Sequence, residues 1–563
     1  MPQSPRRSIL SRVEAIAYLM AIWSFAILFL ESIIGVYTDY RVLELYTAFA
    51  NLFLLLGIIL LRLVSYIPDD KNGVLWVDIF IWILGALLLL YHAKFVIFFL
   101  LIRQTYFILQ YLIFKSFDGK LYDRLTANPP VSLMISFAFV ILIGTVLLML
   151  PTASAANQVT PFTDALFTAT SATCVTGLIV YDTGSYFSLF GQLVILLLLQ
   201  IGGLGIMTVS TAFALIMGRR LTLKLENVMH SVVGDGQRLD VLQLLKNIVI
   251  VTILIEALGA ILLFPEFLKT MSSSQAMYHA IFHSVSAFCN AGFSLFADSL
   301  MGFVDSPLIN ITVSSLILLG GLGFAVMIDL YRFLMRVDKA RKLSLHTKIV
   351  LSMSAFLLLI GFIFIYVTEY NGVMQGFSVS RRILSSWFQS VTARTAGFNT
   401  INTAALAPAS ILIILGLMFV GASPGGTGGG IKTTTFAVLI LSVTSMLRGR
   451  KDLSLFNRRI SISNSREATG LITLSAGIVF IVIFLLFITE QQAFEKIIFE
   501  ALSAFGTVGL SMGITADLSG PGKFLITILM YIGRIGPLTL IYALSMRKRQ
   551  AKLNFAEGKI AIG

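Results

Sequence analysis

Apolar windows of roughly 20 residues follow one another along almost the whole chain, the length that an α-helix rising 1.5 Å per residue needs to cross a hydrocarbon layer about 30 Å thick. Short polar stretches separate them, several carrying Lys and Arg. The pattern predicts an all-α, polytopic membrane protein. Its first window follows Arg6, Arg7 and Arg12, with no small-residue cleavage site after a short apolar core, and reads as a retained helix.

The polar interruptions are related to one another. SATCVTGL (171–178), SAFCNAGF (286–293), SVTARTAGF (390–398) and SAFGTVGL (503–510) each follow a short amphipathic run and lie between two long apolar segments. Their glycines Gly177, Gly292, Gly397 and Gly509 are 115, 105 and 112 residues apart. The spacing describes four copies of one unit: long helix, half-length helix, Gly-containing loop, long helix. The long helices are expected at 131–150 and 187–217, 242–264 and 308–331, 349–368 and 408–447, and 468–489 and 524–545. The short ones are expected at 162–172, 275–287, 381–391 and 494–504. The boundaries that follow are 129–235, 236–345, 346–460 and 461–563, after an additional segment 1–128. Both ends of each unit fall on the side that carries the basic clusters, so the Gly loops enter from the other side.

Irregular backbone at membrane depth persists only where it is buried in protein or lines a water-filled cavity, because unsatisfied peptide groups in lipid cost several kcal/mol each. Four loops, each held by a half-helix, point to one axial cavity built as a filter. A strand with its carbonyls turned inward needs backbone angles that Gly reaches most readily, and the half-helices aim their partially negative C-termini at the centre. A cation is favoured there. The expected filter residues are Thr173, Cys174, Val175, Thr176 and Gly177; Cys289, Asn290, Ala291 and Gly292; Arg394, Thr395, Ala396 and Gly397; and Gly506, Thr507, Val508 and Gly509.

Composition supports this reading. The chain has 563 residues, of which 57% are hydrophobic and 12% charged, against about 25% charged in soluble domains. Its formal net charge of +13 sits in short clusters at helix ends: Arg219, Arg220 and Lys224, then 332–348, 448–459 and 547–552. The positive-inside rule accounts for these, and no nucleic-acid partner is expected. Cys174 and Cys289 read as small space-fillers, with no disulfide framework. His279 and His283 stand four apart without a third ligand, and no nucleophile or acid–base constellation appears, so neither enzyme activity nor a bound organic cofactor is expected.

GASPGGTGGGIKTTTF (421–436) breaks the second long helix of the third unit. Its glycines and Pro424 cannot continue an α-helix. Ile431 separates Gly430 from Lys432 and no soluble strand precedes, which excludes a phosphate-binding loop. Gly421, Ser423, Pro424, Gly425, Gly426, Thr427, Gly428, Gly429 and Gly430 are expected to form an intramembrane loop, with Lys432 repelling cations or pairing with a carbonyl or acidic group. Arg534 lies inside the last apolar helix, where a charge must face a cavity or a partner. Glu256, also mid-helix, is expected to make a helix–helix hydrogen bond.

In 1–128, windows at 13–35, 46–64, 75–90 and 95–114 predict four more helices. An even number puts the N-terminus and the basic run 115–124 both in the cytoplasm. RLVSYIPDDKNGVLWVDIF (62–80) resembles the junction between the second and third helices of voltage-sensor domains, with Glu31 and Asp78 as counter-charges, yet the fourth window carries only Arg103. A plain packing bundle and a degenerate sensor both fit, and strong voltage gating is not expected.

CVTGL with YDTG after it, GGLG at 202–205 and 320–323, LSLHTK (343–348), TARTAGFNT, GASPGGTGGGIKTTTF, SAFGTVGLS and IGRIGPLTL together resemble the Trk/Ktr/HKT superfamily of potassium transporters from about residue 129 to the C-terminus. The resemblance implies a K+-translocating membrane subunit, built from four membrane–pore–membrane repeats and located in the cell membrane with both termini cytoplasmic. It implies a homodimer and a separate cytoplasmic nucleotide-binding regulatory subunit of RCK type. It also implies K+ at Gly177, Gly292, Gly397 and Gly509, with Gly177 favouring K+ where a Ser is associated with sodium passage. The 421–430 loop becomes a gate and Arg534 a positive barrier beneath the filter. Channel-like uptake, uptake coupled to Na+ or H+, and a Na+-permeable carrier remain open at this point.

Overall fold

The computed structural model describes residues 41–64, 72–89, 129–205, 241–335, 342–450, 452–537 and 539. Two N-terminal helices, α1 (Arg41–Val64) and α2 (Asn72–Leu89), pack on each other, and the Trp82 indole donates to Leu52 O at 3.1 Å. The expected windows 13–35 and 95–114, Glu31, Arg103, the run 115–124, and the basic residues at 219–224 and 547–552 lie outside the described residues.

Four units follow, each with a long first helix and then a shorter one of 12 to 16 residues. The first is α3 (Pro129–Met149), α4 (Phe162–Thr173) and α5 (Leu189–Gly203). The second is α6 (Val241–Phe267), α7 (Ser273–Phe288), α8 (Pro307–Leu322) and α9 (Phe324–Leu334). The third is α10 (Leu345–Thr368), α11 (Val379–Thr392), α12 (Pro408–Phe419) and α13 (Thr433–Leu447), and the fourth α14 (Ile462–Thr489), α15 (Phe494–Gly506) and α16 (Gly520–Ile535). Serines start many of them: Ser188, Ser306, Ser344, Ser378, Ser461 and Ser519 accept from the amide three residues on, satisfying a donor that the helix itself cannot.

The units close into a ring. Each short helix packs within its own unit and also against a helix from the unit before: α7 on α5, α11 on α8, α15 on α12, and α4 on α16. Phenylalanines fill the joints, with Phe167, Phe282, Phe288, Phe388, Phe398, Phe499 and Phe505 fully buried. The outer helices present Leu254, Phe480 and other apolar side chains outward, the distribution that a lipid surround requires. Among the described residues, three helices are long and apolar enough to cross a membrane, or four if α8 and α9 form one span.

Three expected second helices are broken within their apolar patterns. The run 308–331 is not continuous: α8 and α9 meet at an angle of 103°. In the 187–217 window the helix breaks after Gly203, and in 524–545 it breaks at Gly536, with Pro537 and Thr539 helical again. The cause is the same in all three, a Gly in the left-handed region: Gly205 at φ +88°, Gly323 at +93° and Gly536 at +87°. The apolar window 408–447 divides into α12 and α13 around the Gly-rich loop, as expected. A feature not anticipated is a hairpin after α13, in which β1 (Leu453–Leu455) pairs antiparallel with β2 (Arg458–Ile460). Phe456 and Asn457 both take positive φ, the geometry that a two-residue hairpin turn needs. Leu453 and Ile460 are buried with Ile349 of α10 and Ala437 of α13.

Candidate ion path

The C-termini of α4, α7, α11 and α15 converge and hand over to four segments of matching backbone. In each, the residue two before the Gly is left-handed: Val175 (φ +57°), Asn290 (+58°), Thr395 (+74°) and Thr507 (+50°). The glycines follow at +96° (Gly177), +70° (Gly292), +78° (Gly397) and +89° (Gly509). A β-branched residue at positive φ is strained by about 1–3 kcal/mol, so three such residues at matched places mark an imposed conformation. What imposes it is the short helix behind. Thr176 N donates to Ser171 O, Ala291 N to Ser286 O and Val508 N to Ser503 O, each at 2.8 Å, and Ala396 N donates to Thr392 O at 3.0 Å. Gly177 N and Gly509 N donate to the hydroxyls of Ser171 and Ser503, both at 3.1 Å. Ser286 and Thr392 instead donate to Phe293 O and Phe398 O. The small hydroxyl-bearing residues before each loop thus hold its amides outward, a role that the glycine pattern alone does not disclose.

The four segments form a closed ring. A Cβ built on Gly177 would stand 2.5 Å from Ala291 O, one on Gly292 2.7 Å from Ala396 O, one on Gly397 2.7 Å from Val508 O, and one on Gly509 2.1 Å from Thr176 O. Each glycine therefore lies against the carbonyl that precedes the next glycine, in the order first, second, third, fourth and back to first. Any side chain at these positions meets backbone that cannot swing aside.

Behind the ring, Glu256 of α6 accepts from Gln200 Nε2 of α5 at 3.2 Å, the helix–helix bond that the sequence suggests. Cys289 Sγ lies 3.9 Å from both Gln200 Oε1 and Glu256 Oε1. Arg394 sends its side chain away from the ring. Its backbone belongs to the third segment, but its buried side chain runs away to Ser354 of α10 and to Gly421 O, at 3.4–3.5 Å. The guanidinium is held there by neutral oxygens outside the ring, with no carboxylate bonded to it among the described residues.

The Gly-rich stretch lies against the N-terminal ends of the second, third and fourth segments. Thr427 N donates to Gly320 O and Ser423 N to Gly321 O, both at 3.0 Å; Gly430 N donates to Gly533 O at 3.3 Å. Gly429 N donates to the Thr507 hydroxyl at 2.8 Å, and a Cβ on Gly428 would fall 2.1 Å from Thr395 Oγ1. The loop thus touches the second, third and fourth units through its own backbone. Three cationic side chains cap its carbonyls: Lys432 Nζ donates to Gly428 O at 2.6 Å, Arg394 to Gly421 O, and Arg534 to Thr427 O. Arg534 also donates to Gly202 O of the first unit, which completes the circle. The sequence held a signal for this: GRIG at 533–536 matches GGLG at 202–205 and 320–323, so Arg534 stands where Gly203 and Gly321 stand.

Residues 92–554 match the family model described as TrkH, cation transport protein. The chain belongs to this family. It is 40% identical over 448 residues to the Ktr system potassium uptake protein B of Vibrio alginolyticus, covering 79% of this chain and 97% of the relative. The corresponding Bacillus subtilis protein is also 40% identical, over 438 residues, with 77% and 97% covered. The potassium/sodium uptake protein NtpJ of Enterococcus hirae is 36% identical over 433 residues, with 76% and 95% covered. The crystal structure of the potassium transporter TrkH from Vibrio parahaemolyticus superposes with a TM-score of 0.60 at 18% identity, covering 90% of this chain and 97% of that one, and shares its fold. As a TrkH-family protein the chain is a membrane subunit of the Trk/Ktr type, a cation transporter and not an enzyme.

Proposed function

We propose that the protein takes up K+ through the ring of Gly177, Gly292, Gly397 and Gly509, with the 421–430 loop as the gate across its inner end. The observation that carries this is the closed order of glycine-on-carbonyl contacts, which brings four peptide oxygens around one axis. Carbonyl oxygens in such a ring replace the hydration shell of a monovalent cation. Four half-helices add the negative ends of their dipoles. Thr173, Cys174, Val175 and Thr176 and their counterparts in the other units supply further backbone oxygens along the same path. The loop bars that path while Arg534 and Lys432 hold it, and both cations oppose the passage of K+ electrostatically.

The relatives that carry the Ktr system name are one component of a system, which supports a separate cytoplasmic nucleotide-binding subunit of RCK type as partner. The exposed Arg458 and Arg459 on the hairpin are where such a subunit would dock, with the chain as a homodimer and both termini cytoplasmic. The pore units are 129–235, 236–345, 346–460 and 461–563, and 1–128 is an added bundle in the membrane.

The test is flux into proteoliposomes holding the purified protein. Uptake of K+ and Rb+ well above Na+, driven by an imposed potential and abolished in favour of Na+ by Gly177→Ser, is the expected result. Equal K+ preference in Gly177→Ser would overturn the filter assignment. Uptake that requires a Na+ gradient would replace channel-like passage with symport, a reading that the potassium/sodium name of one relative keeps in play.

A further inference from the structure

Two buried titratable side chains sit behind the ring and make the same contact twice. Glu500 of α15 lies nine residues before Gly509, and its carboxylate accepts from the hydroxyl of Ser511 at 2.8 Å and from that of Thr515. His283 of α7 lies nine residues before Gly292. Its Nδ1 faces His279 O at 2.8 Å and must donate to it, which leaves Nε2 as an acceptor. That acceptor is 3.0 Å from Ser294 Oγ and receives the amide of Leu295 at 3.4 Å. Ser511 and Ser294 both stand two residues after their filter glycine. The pore helix therefore carries an acceptor that grips the segment leaving the filter.

The order of units around the ring puts the second and fourth opposite each other, so the grips lie on one diagonal. On the other diagonal the corresponding residues are Thr168 and Phe388. The Thr168 hydroxyl donates to Asp164 O in its own helix at 2.8 Å, and Phe388 has no polar group to offer. These grips are separate from the gate, since neither Glu500 nor His283 bonds the 421–430 loop.

We infer that Glu500 and His283 are positioning residues that fix the exit ends of the fourth and second filter segments, and through them the spacing of the carbonyl ring that discriminates K+ from Na+. The inference rests on the filter reading above. A ring selects by holding its oxygens at a set distance and number. A backbone segment leaving Gly509 or Gly292 without its anchor can relax toward or away from the axis, and the smaller ion gains from that freedom. Inside protein, a hydrogen bond lost in this way also leaves its partner unsatisfied, which makes the anchor stronger than one on the surface.

The experiment is competitive K+ and Na+ uptake by the full-length protein in vesicles. Glu500→Ala is expected to lower the K+/Na+ ratio by about five- to tenfold, the size of one buried hydrogen bond, while total cation uptake persists. Ser511→Ala should move the ratio the same way, and the double variant should be no worse than Glu500→Ala alone. Glu500→Gln should largely restore selectivity, because its amide offers an acceptor to one hydroxyl and a donor to the other. Thr168→Ala, which alters a pore helix without touching an exit segment, should leave the ratio unchanged. If Glu500→Ala yields no folded protein, Ser511→Ala and Ser294→Ala carry the same test by removing only a hydroxyl. A wild-type ratio in these variants, or an equal loss in Thr168→Ala, overturns the inference. Gly509→Ser run alongside separates the two readings: if it lowers the ratio and the anchor variants do not, only the anchors are wrong, and if it too is silent, the filter reading falls and the inference with it.

Discussion

Lys523, near the start of α16, donates to Asp164 in the first turn of α4 at 2.8 Å, joining residues 359 apart in the chain. Both side chains are largely withdrawn from solvent, and the Tyr181 hydroxyl donates to the other carboxylate oxygen at 2.8 Å. The pair closes the fourth unit onto the first. Lys523→Met strands a buried carboxylate, at a cost of about 3 kcal/mol or more. The expected outcome is a clear drop in the melting temperature of the detergent-purified protein, much of it recovered when Asp164→Asn is added. Equal melting of the single and double variants would contradict the closure.

The filter glycines should not be equally tolerant. A Cβ on Gly509 would meet Thr176 O at 2.1 Å, closer than the 2.5–2.7 Å found at the other three, and positive φ adds strain of about 1–3 kcal/mol at every one. K+ uptake should therefore suffer more in Gly509→Ala than in Gly292→Ala or Gly397→Ala. Gly470→Ala, on α14 with open space around it, should transport like wild type, and measured uptake rates decide the ranking.

Removing 425–429 takes away Thr427 and Gly428, whose carbonyls receive Arg534 and Lys432. Basal K+ flux should rise and its dependence on a regulatory subunit should fall, while K+/Na+ selectivity is largely kept because Gly177, Gly292, Gly397 and Gly509 lie outside the deletion. Flux no faster than wild type, from a folded and selective protein, would make the loop a packing feature.

The hairpin offers a surface test of partnership. Arg458 and Arg459 are exposed, and the contact of Arg459 with Asp452 is an exposed ion pair of little energetic weight. Arg458→Glu with Arg459→Glu should leave melting unchanged. It should weaken co-purification of a nucleotide-binding subunit, and the difference from wild type should shrink as salt is raised and surface charges are screened. Undiminished capture would place the partner elsewhere.

Much of the fold was legible because its signals are local. The short helix expected at 162–172 is Phe162–Thr173, and that expected at 494–504 is Phe494–Gly506, since an amphipathic run ended by a Gly loop carries its own boundaries. The bend at Gly323 was not legible from apolar periodicity. Its cause is a partner about a hundred residues on, for a Cβ there would stand 2.5 Å from Pro424 O. Arg394 shows the same limit: its place in the filter segment was readable, but the direction of its side chain depends on Ser354 and Gly421. His283 stood out in the sequence only for its spacing from His279, and Glu500 not at all, because their proposed role lies in the distance to a serine across a turn, and a buried Glu or His in isolation looks like any satisfied core residue.

The broken second helix of the second unit has a mechanical side. Phe324 N donates to Gly425 O at 3.3 Å, so the first turn of α9 is tied to the loop. At the middle of α9, Asp329 accepts from Ser344 N at 3.0 Å and from Thr347 Oγ1 at 2.5 Å, which fastens it to the start of α10. Eleven residues of helix make a rod about 16 Å long, hinged at a glycine and tied at its start and its middle. Turning that rod by about 10° moves the tied Asp329, about 8 Å from the hinge, by about 1.4 Å. It has the geometry of a crank: a displacement of the start of α10 is passed through Asp329 and Phe324 to Gly425.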